Sequence, residues 1–270
     1  MISRSTIQWV RSLRDKRCRD AERLFVAEGP KVVGDLLKAG LQPEAIFVQN
    51  DTLHTLQDVV AVSRSSDVQT PPRSPSPILT TSEELCRLSA LRTPQGVVAV
   101  FHTPQSPLIP PTDMALFLDG VQDPGNVGTI IRLADWFSID HIYLTLNCAD
   151  PWGGKCVQAG MGSHGRVHIH IIHDTLAFAT DMLAKDIPLC GCTLDGENLY
   201  ALRRPLPTDQ PMLIVVGSEG QGISPTLLPL LTRRITIPRL RQGDGPDSLN
   251  AAVATAIVCS ELCRQSGCSQ

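Results

Sequence analysis

The run Gly217-Ser218-Glu219-Gly220-Gln221-Gly222 places three glycines around one carboxylate. Glycine lets a backbone turn sharply and approach a ligand with no Cβ in the way, so a tight turn here carries an acid that can accept a hydrogen bond or a proton. Downstream, Ser248 or Asn250 suits the N-cap of a helix made by the alanine-rich run Ala251 to Val258. Backbone N–H groups at such a start are free to meet an anion or a carboxylate. A second polar, glycine-bearing stretch, Asp119 to Gly128, contains Asn126 and leads into Thr129 to Phe137, which reads as an amphipathic helix. Arg132 near its start offers a planar fork suited to phosphate; pairing with Asp135 or Asp119 as a structural ion pair is the alternative.

Other residue types capable of chemistry argue for less. His168-Ile169-His170-Ile171-Ile172-His173 has a period of two, which fits a half-exposed strand with histidines on its wet face better than a metal site. The nine cysteines are scattered, and Cys190-Gly191-Cys192 lacks the C-x-x-C spacing usual for zinc. They are expected to be buried or incidental thiols, and no metal is expected. Gly217 to Gly222 reads G-x-x-G-x-G, the wrong order for a dinucleotide fingerprint, and no phosphate loop of the G-x-x-x-x-G-K-[ST] kind occurs.

The elements that must position these groups alternate between strand and helix. Leu213-Ile214-Val215-Val216 is a short β-branched core strand, so the glycine turn stands at a strand end, where ligands sit in α/β sheets. Ile235-Thr236-Ile237 is a second strand, stopped by Pro238. Ala115 to Leu118, His141 to Leu144, Val167 to Ile172 and Ile187 to Gly191 supply further strands, and a helix is expected from about Lys155. Upstream, a basic helix over Ile7 to Ala21 precedes strands at Leu24 to Ala27, Ala45 to Val48, near Ile78 and at Gly96 to Phe101. Helices are expected over Lys31 to Ala39, closed by Gly40, and over Ser82 to Ser89. Thr103 to Thr112 holds four prolines and no charge, a stiff extended linker. The expected division is therefore 1–102, a linker at 103–112, and 113–270.

With 270 residues and a formal charge of -3, the chain suits one large and one small α/β domain and excludes a uniformly basic, polyanion-coating surface. Met1 to Lys31 nonetheless carries eight basic residues against four acidic ones, a local patch for phosphate contact or a solvated helix face. No stretch approaches the roughly 20 apolar residues of a membrane span. The start lacks the apolar core of a signal peptide, so a cytoplasmic protein is expected.

Three blocks, Asp123 to Arg132, Val216 to Gly222, and Ile237-Pro238 with Ser248 to Ala254, together resemble the SpoU (TrmH-type) RNA methyltransferases of the SPOUT superfamily. Phe25 to Gly29 and Gly96 to Val100 extend the likeness, more weakly, to an L30e-like substrate-binding domain. The resemblance implies an α/β fold with a deep trefoil knot, S-adenosylmethionine as cofactor, and a homodimer whose active site draws on both subunits. It places cofactor contacts on Gly217, Ile237 and Leu249 and catalytic positions on Asn126, Arg132, Glu219, Ser248 and Asn250. The implied reaction is methyl transfer to a ribose 2'-hydroxyl of structured ribosomal or transfer RNA, with Arg132 clamping phosphate and steadying a developing alkoxide rather than acting as base. For Ser248 a pure helix cap remains open. So do two other functions: an RNA-binding protein of this fold without catalysis, and a base methyltransferase. The loop Arg239 to Asp247 is longer than the common family version.

Overall fold

The basic N-terminal stretch forms two helices rather than one. The computed structural model describes residues 2–54, 75–202, 210–241 and 247–265. In it Ser3 caps α1 (Arg4–Ser12), and Asp15 accepts the Arg17 N–H to start α2 (Lys16–Glu22). An aspartate that can bond a backbone N–H two residues on competes with helix continuation, which is why the run breaks there.

By contacts the chain divides into two compact units, Met1–Gln105 with Asp150–Arg166, and Ser106–Ala149 with Val167–Gln270. The segment Asp150–Arg166, read from sequence as part of the second domain, is thus grouped with the first.

The first unit is a four-stranded sheet in the order β1-β4-β2-β3, made of β1 (Leu24–Glu28), β2 (Pro43–Gln49), β3 (Ile78–Thr80) and β4 (Val97–His102). Helix α3 (Pro30–Lys38) begins with proline at a position where the missing N–H costs nothing, and Gly40 follows it at φ +82. Helix α4 (Ser82–Leu88) carries a full capping box between Thr81 and Glu84. Within Asp150–Arg166, helix α5 (Gly154–Gly160) packs on β1, Val157 enters the core with Phe25 and Leu36, and Trp152 lies on Phe25 at 4.9 Å. Buried Arg19 reaches Asp150 and the carbonyls of Leu13 and Arg14. This segment is a brace for the first sheet.

The second unit is a six-stranded sheet in the order β10-β8-β9-β5-β6-β7, with every pairing parallel. Its strands are β5 (Met114–Asp119), β6 (His141–Thr145), β7 (His168–Ile172), β8 (Leu189–Asn198), β9 (Met212–Gly217) and β10 (Arg233–Thr236). Its helices are α6 (Pro124–Trp136), α7 (Thr175–Ala184) and α8 (Ala251–Gln265). The central strands β5 and β9 are buried almost throughout, as a sheet covered on both faces requires. Strands β6 and β7 extend the sheet on one side of β5, and the chain then returns to build β9, β8 and β10 on the other. The switch in direction falls between β5 and β9, the place where ligands bind in open parallel sheets. Strand β10 is an edge strand, consistent with the proline that follows it.

Helix α6 starts at Pro124, not Thr129, because Asp123 caps it and Pro124 opens its first turn. The histidines of β7 do not share a wet face: His168 is exposed, but His170 is 4% exposed. The residues 71–74, Cys268 and the centre of the lengthened loop, 242–246, lie outside the described residues. The eight described cysteines are free thiols, and burial pushes Cys190 and Cys259 up to about 12. Among the described residues no helix is long and apolar enough to cross a membrane.

Candidate active site

All six strands of the second sheet point the same way, so their carboxyl ends share one edge. Strand β9 delivers Gly217 to that edge, opposite Asp119 at the end of β5. A Cβ on Gly217 would lie 2.1 Å from the Gly222 carbonyl carbon, so only glycine lets the turn fold back so closely. Ser218 and Gly222 then exchange N–H to carbonyl bonds of 3.0 and 2.9 Å, and the Gln221 N–H donates to Ser218 Oγ at 3.1 Å. The result is a small closed loop with exposed Glu219 at its tip.

Asn126 comes from the first turn of α6. Its backbone N–H donates to the Asp123 cap at 2.8 Å, which fixes where its side chain leaves the helix. Asn250 is the N-cap of α8: its Oδ1 accepts from the N–H groups of Ala252 and Val253 at 3.0 and 3.2 Å. With that oxygen committed, only the amide nitrogen can face outward, and it donates to Asn126 Oδ1 at 2.9 Å. Asn126 must then turn its own nitrogen away, and it donates to Glu219 Oε1. One helix cap therefore sets the orientation of both amides and aims two donors in series at a carboxylate.

Of the eight residues singled out from sequence, the structure joins Asn126, Glu219 and Asn250 by hydrogen bonds. Gly217 forms the base of the loop bearing Glu219, and Leu249, 47% exposed, immediately precedes Asn250. Ile237 is half-buried just past the end of β10, at the same carboxyl edge but two strands from β9. Arg132 and Ser248 are exposed, and among the described residues neither has a hydrogen-bonded or ion-pair partner. Asp119, one partner considered for Arg132, accepts instead from the Ser224 N–H at 2.6 Å. The cap of α8 is Asn250, so Ser248 is not needed for that purpose.

Sequence reasoning passed over Asp123, and gave Asp119 only as an ion-pair partner of Arg132. Asp123 carried a usable signal, an aspartate directly before a proline at a helix start. Asp119 carried none, since its partner lies 105 residues away.

A parallel α/β domain with a glycine turn and a polar relay at its switch point is a ligand-binding enzyme fold with the site on its carboxyl edge. The chain belongs to the SpoU rRNA methylase family, whose model matches residues 113–260; an MRM3-like substrate binding domain matches residues 4–99. It is 28% identical over 253 residues to the Bacillus subtilis 23S rRNA (guanosine(2553)-2'-O)-methyltransferase RlmP, covering 93% of each chain. A solved putative RNA methyltransferase of the TrmH family from Porphyromonas gingivalis superposes with a TM-score of 0.84 at 38% identity, covering 98% of this chain and 100% of that one. The AdoMet-bound rRNA methyltransferase from Sinorhizobium meliloti gives a TM-score of 0.78 at 25% identity, covering 98% of this chain and 96% of that one.

Proposed function

We infer that this chain is an S-adenosylmethionine-dependent RNA methyltransferase that modifies a ribose 2'-hydroxyl of structured ribosomal RNA. The observation that carries the inference is the hydrogen-bonded series Asn250, Asn126, Glu219 at the switch point of a SpoU-family domain.

The carboxyl edge fits the cofactor. Leu249 leaves about half its surface uncovered beside the start of α8, Ile237 is half-buried, and the turn at Gly217 is all backbone. Apolar side chains flanked by main-chain donors and acceptors suit an adenosine. When bound, S-adenosylmethionine supplies an electrophilic methyl on a sulfonium. Gly217, Ile237 and Leu249 would hold it, largely through backbone groups.

The chain's own residues supply alignment and electrostatics. The relay holds Glu219 and Asn126 as a fixed polar wall that positions the acceptor sugar. Arg132, exposed and uncommitted, clamps the adjacent RNA phosphate and steadies the developing alkoxide, and the proton leaves to phosphate or water. Ser248, exposed and not required as a cap, contacts ligand.

The region 1–102, braced by 150–166, acts as the RNA-holding domain, 103–112 as linker and the rest of 113–270 as the catalytic domain. Exposed Arg4, Arg11, Lys16, Arg17 and Arg23 provide phosphate contacts. The working form is a homodimer: α6 and α8 pack together and leave Trp136 79% and Val253 49% exposed, apolar surface suited to a second copy. The methyltransferase domain has the family's trefoil knot, and the protein works in the cytoplasm.

Arg132→Ala tests the reading. Transfer of labelled methyl to ribosomal RNA should fall about 10²–10³-fold, the cost of losing one oxyanion-type donor, with RNA binding retained. Wild-type protein that leaves no alkali-resistant linkage in any ribosomal RNA at saturating cofactor would sink it.

A further inference from the structure

Asp119 is an acid in an unusual position. It ends β5, pairs in register with Gly217 of β9, and is 4% exposed. Its Oδ2 accepts the Ser224 N–H at 2.6 Å. Taking a carboxylate out of water is costly, and an apolar side chain or a serine would fill the place at a smaller penalty. What the acid provides is a charge-assisted bond, stronger than a neutral one, to a backbone N–H just beyond the glycine loop.

That loop has two attachments. Its entry is held by the sheet at Gly217. Its exit runs through Ile223, 4% exposed, to Ser224, where Asp119 takes hold. Between them the loop is closed on itself by the Ser218 and Gly222 pair, so it forms one unit held at these two points. With both ends held, Glu219 at the tip meets Asn126. On the other side of the same strand end, Thr145 Oγ1 accepts the Gly120 N–H at 3.0 Å, so the end of β5 is tied in both directions.

We propose that Asp119 is a positioning residue for methyl transfer. Through Ser224 it holds the Ser218–Gly222 loop where Glu219 engages Asn126 and Gly217 presents its backbone to the cofactor. The proposal rests on the function inferred above.

Three variants test it, read by amide hydrogen exchange, calorimetry with S-adenosylmethionine, and steady-state kinetics. Asp119→Ala should speed exchange of the Ser224 amide and weaken cofactor binding about tenfold or more, the ordinary worth of a hydrogen bond to a charged group. It should lower kcat while leaving KM for RNA unchanged. Asp119→Asn keeps an acceptor oxygen in place and should restore cofactor affinity to within about threefold of wild type, with Ser224 exchange only modestly faster. Ser224→Ala leaves the backbone N–H and should be silent. Unchanged Ser224 exchange or cofactor affinity in Asp119→Ala, or an asparagine variant as impaired as the alanine one, overturns the proposal. Should the alanine variant not fold, the asparagine variant decides alone: a Ser224 amide exchanging no faster than in wild type overturns it. Exchange and calorimetry need no RNA, so failure here is distinct from a wild-type protein that transfers no methyl.

Discussion

The carboxyl edge at β5 and β9 and the flank formed by β6 and β7 both gather polar side chains on one sheet, and they use them in opposite ways. On the flank, His141 pairs in register with His168 and Tyr143 with His170. The rings stack, His141 on His168 at 5.1 Å and Tyr143 on His170 at 5.0 Å, and His141 Nδ1 and His170 Nε2 share a hydrogen bond of 3.0 Å. The segment 106–109 is bonded to this flank, with Ser106 Oγ and His168 Nδ1 3.0 Å apart and the Tyr143 hydroxyl donating to the Ile109 carbonyl at 2.7 Å. Burial, then the neighbouring His141 and His168, push His170 down to about 4. Among the described residues no three such groups are arranged to hold a metal.

At the carboxyl edge, Glu219 and Asn250 are exposed and are aligned by backbone caps rather than by burial. Side chains on strand faces spend their polar atoms inside the fold. Those just past strand ends are held by turns and helix starts and keep hydrogen-bonding capacity for a ligand.

The sharpest way to break this contrast is Asn250→Asp. The carboxylate still caps α8, so thermal stability should hold, but the donor to Asn126 is gone and the amide series must reverse against Glu219. Methyl transfer should fall about 10²-fold, the scale of one lost preorganised donor. Transfer at the wild-type rate would mean the relay does not position the reaction. Next comes His170→Ala, which should cost about 2 kcal/mol of unfolding free energy for a buried side chain removed. Transfer per folded molecule should be unchanged; loss of turnover without loss of stability would move the histidine flank into the active site.

The smallest expected effect is in pH dependence. His170 has a folded-state pKa below the roughly 6.5 of an unfolded histidine, so the unfolded chain binds the proton more readily. Its contribution to stability is complete above about pH 6.5 and is lost as pH falls toward 4. Denaturation midpoints followed from pH 7.5 to 5 should decline, and His170→Gln should flatten the decline. A residual slope should remain, because buried His164 in the first unit is also pushed down to about 4. Identical slopes in the two proteins would remove His170 from the account.

Much of the architecture was legible because it is local. The apolar runs at Leu116–Leu118 and Leu213–Val216, the capping box at Thr81 and Glu84, and Gly40 after α3 depend on neighbours within a turn or a strand. The three blocks that carry the family likeness lie at strand ends and helix starts, so they also located the region of the site. Asp15 splitting α1 from α2, and Asp123 starting α6 early, were local too; both lay in the sequence as cap signals.

Tertiary structure alone decided which residues meet. That Asn126 turns its nitrogen to Glu219, that Asp119 binds Ser224, and that His170 is buried while His168 is not all follow from strand order. Segment 150–166 joins the first unit for the same kind of reason, through Val157 and Trp152 against β1. Propensity, periodicity and helix caps act over a few residues, whereas burial and the direction of the Asn126 amide are set by groups about a hundred residues distant, brought close only when the parallel sheet is assembled.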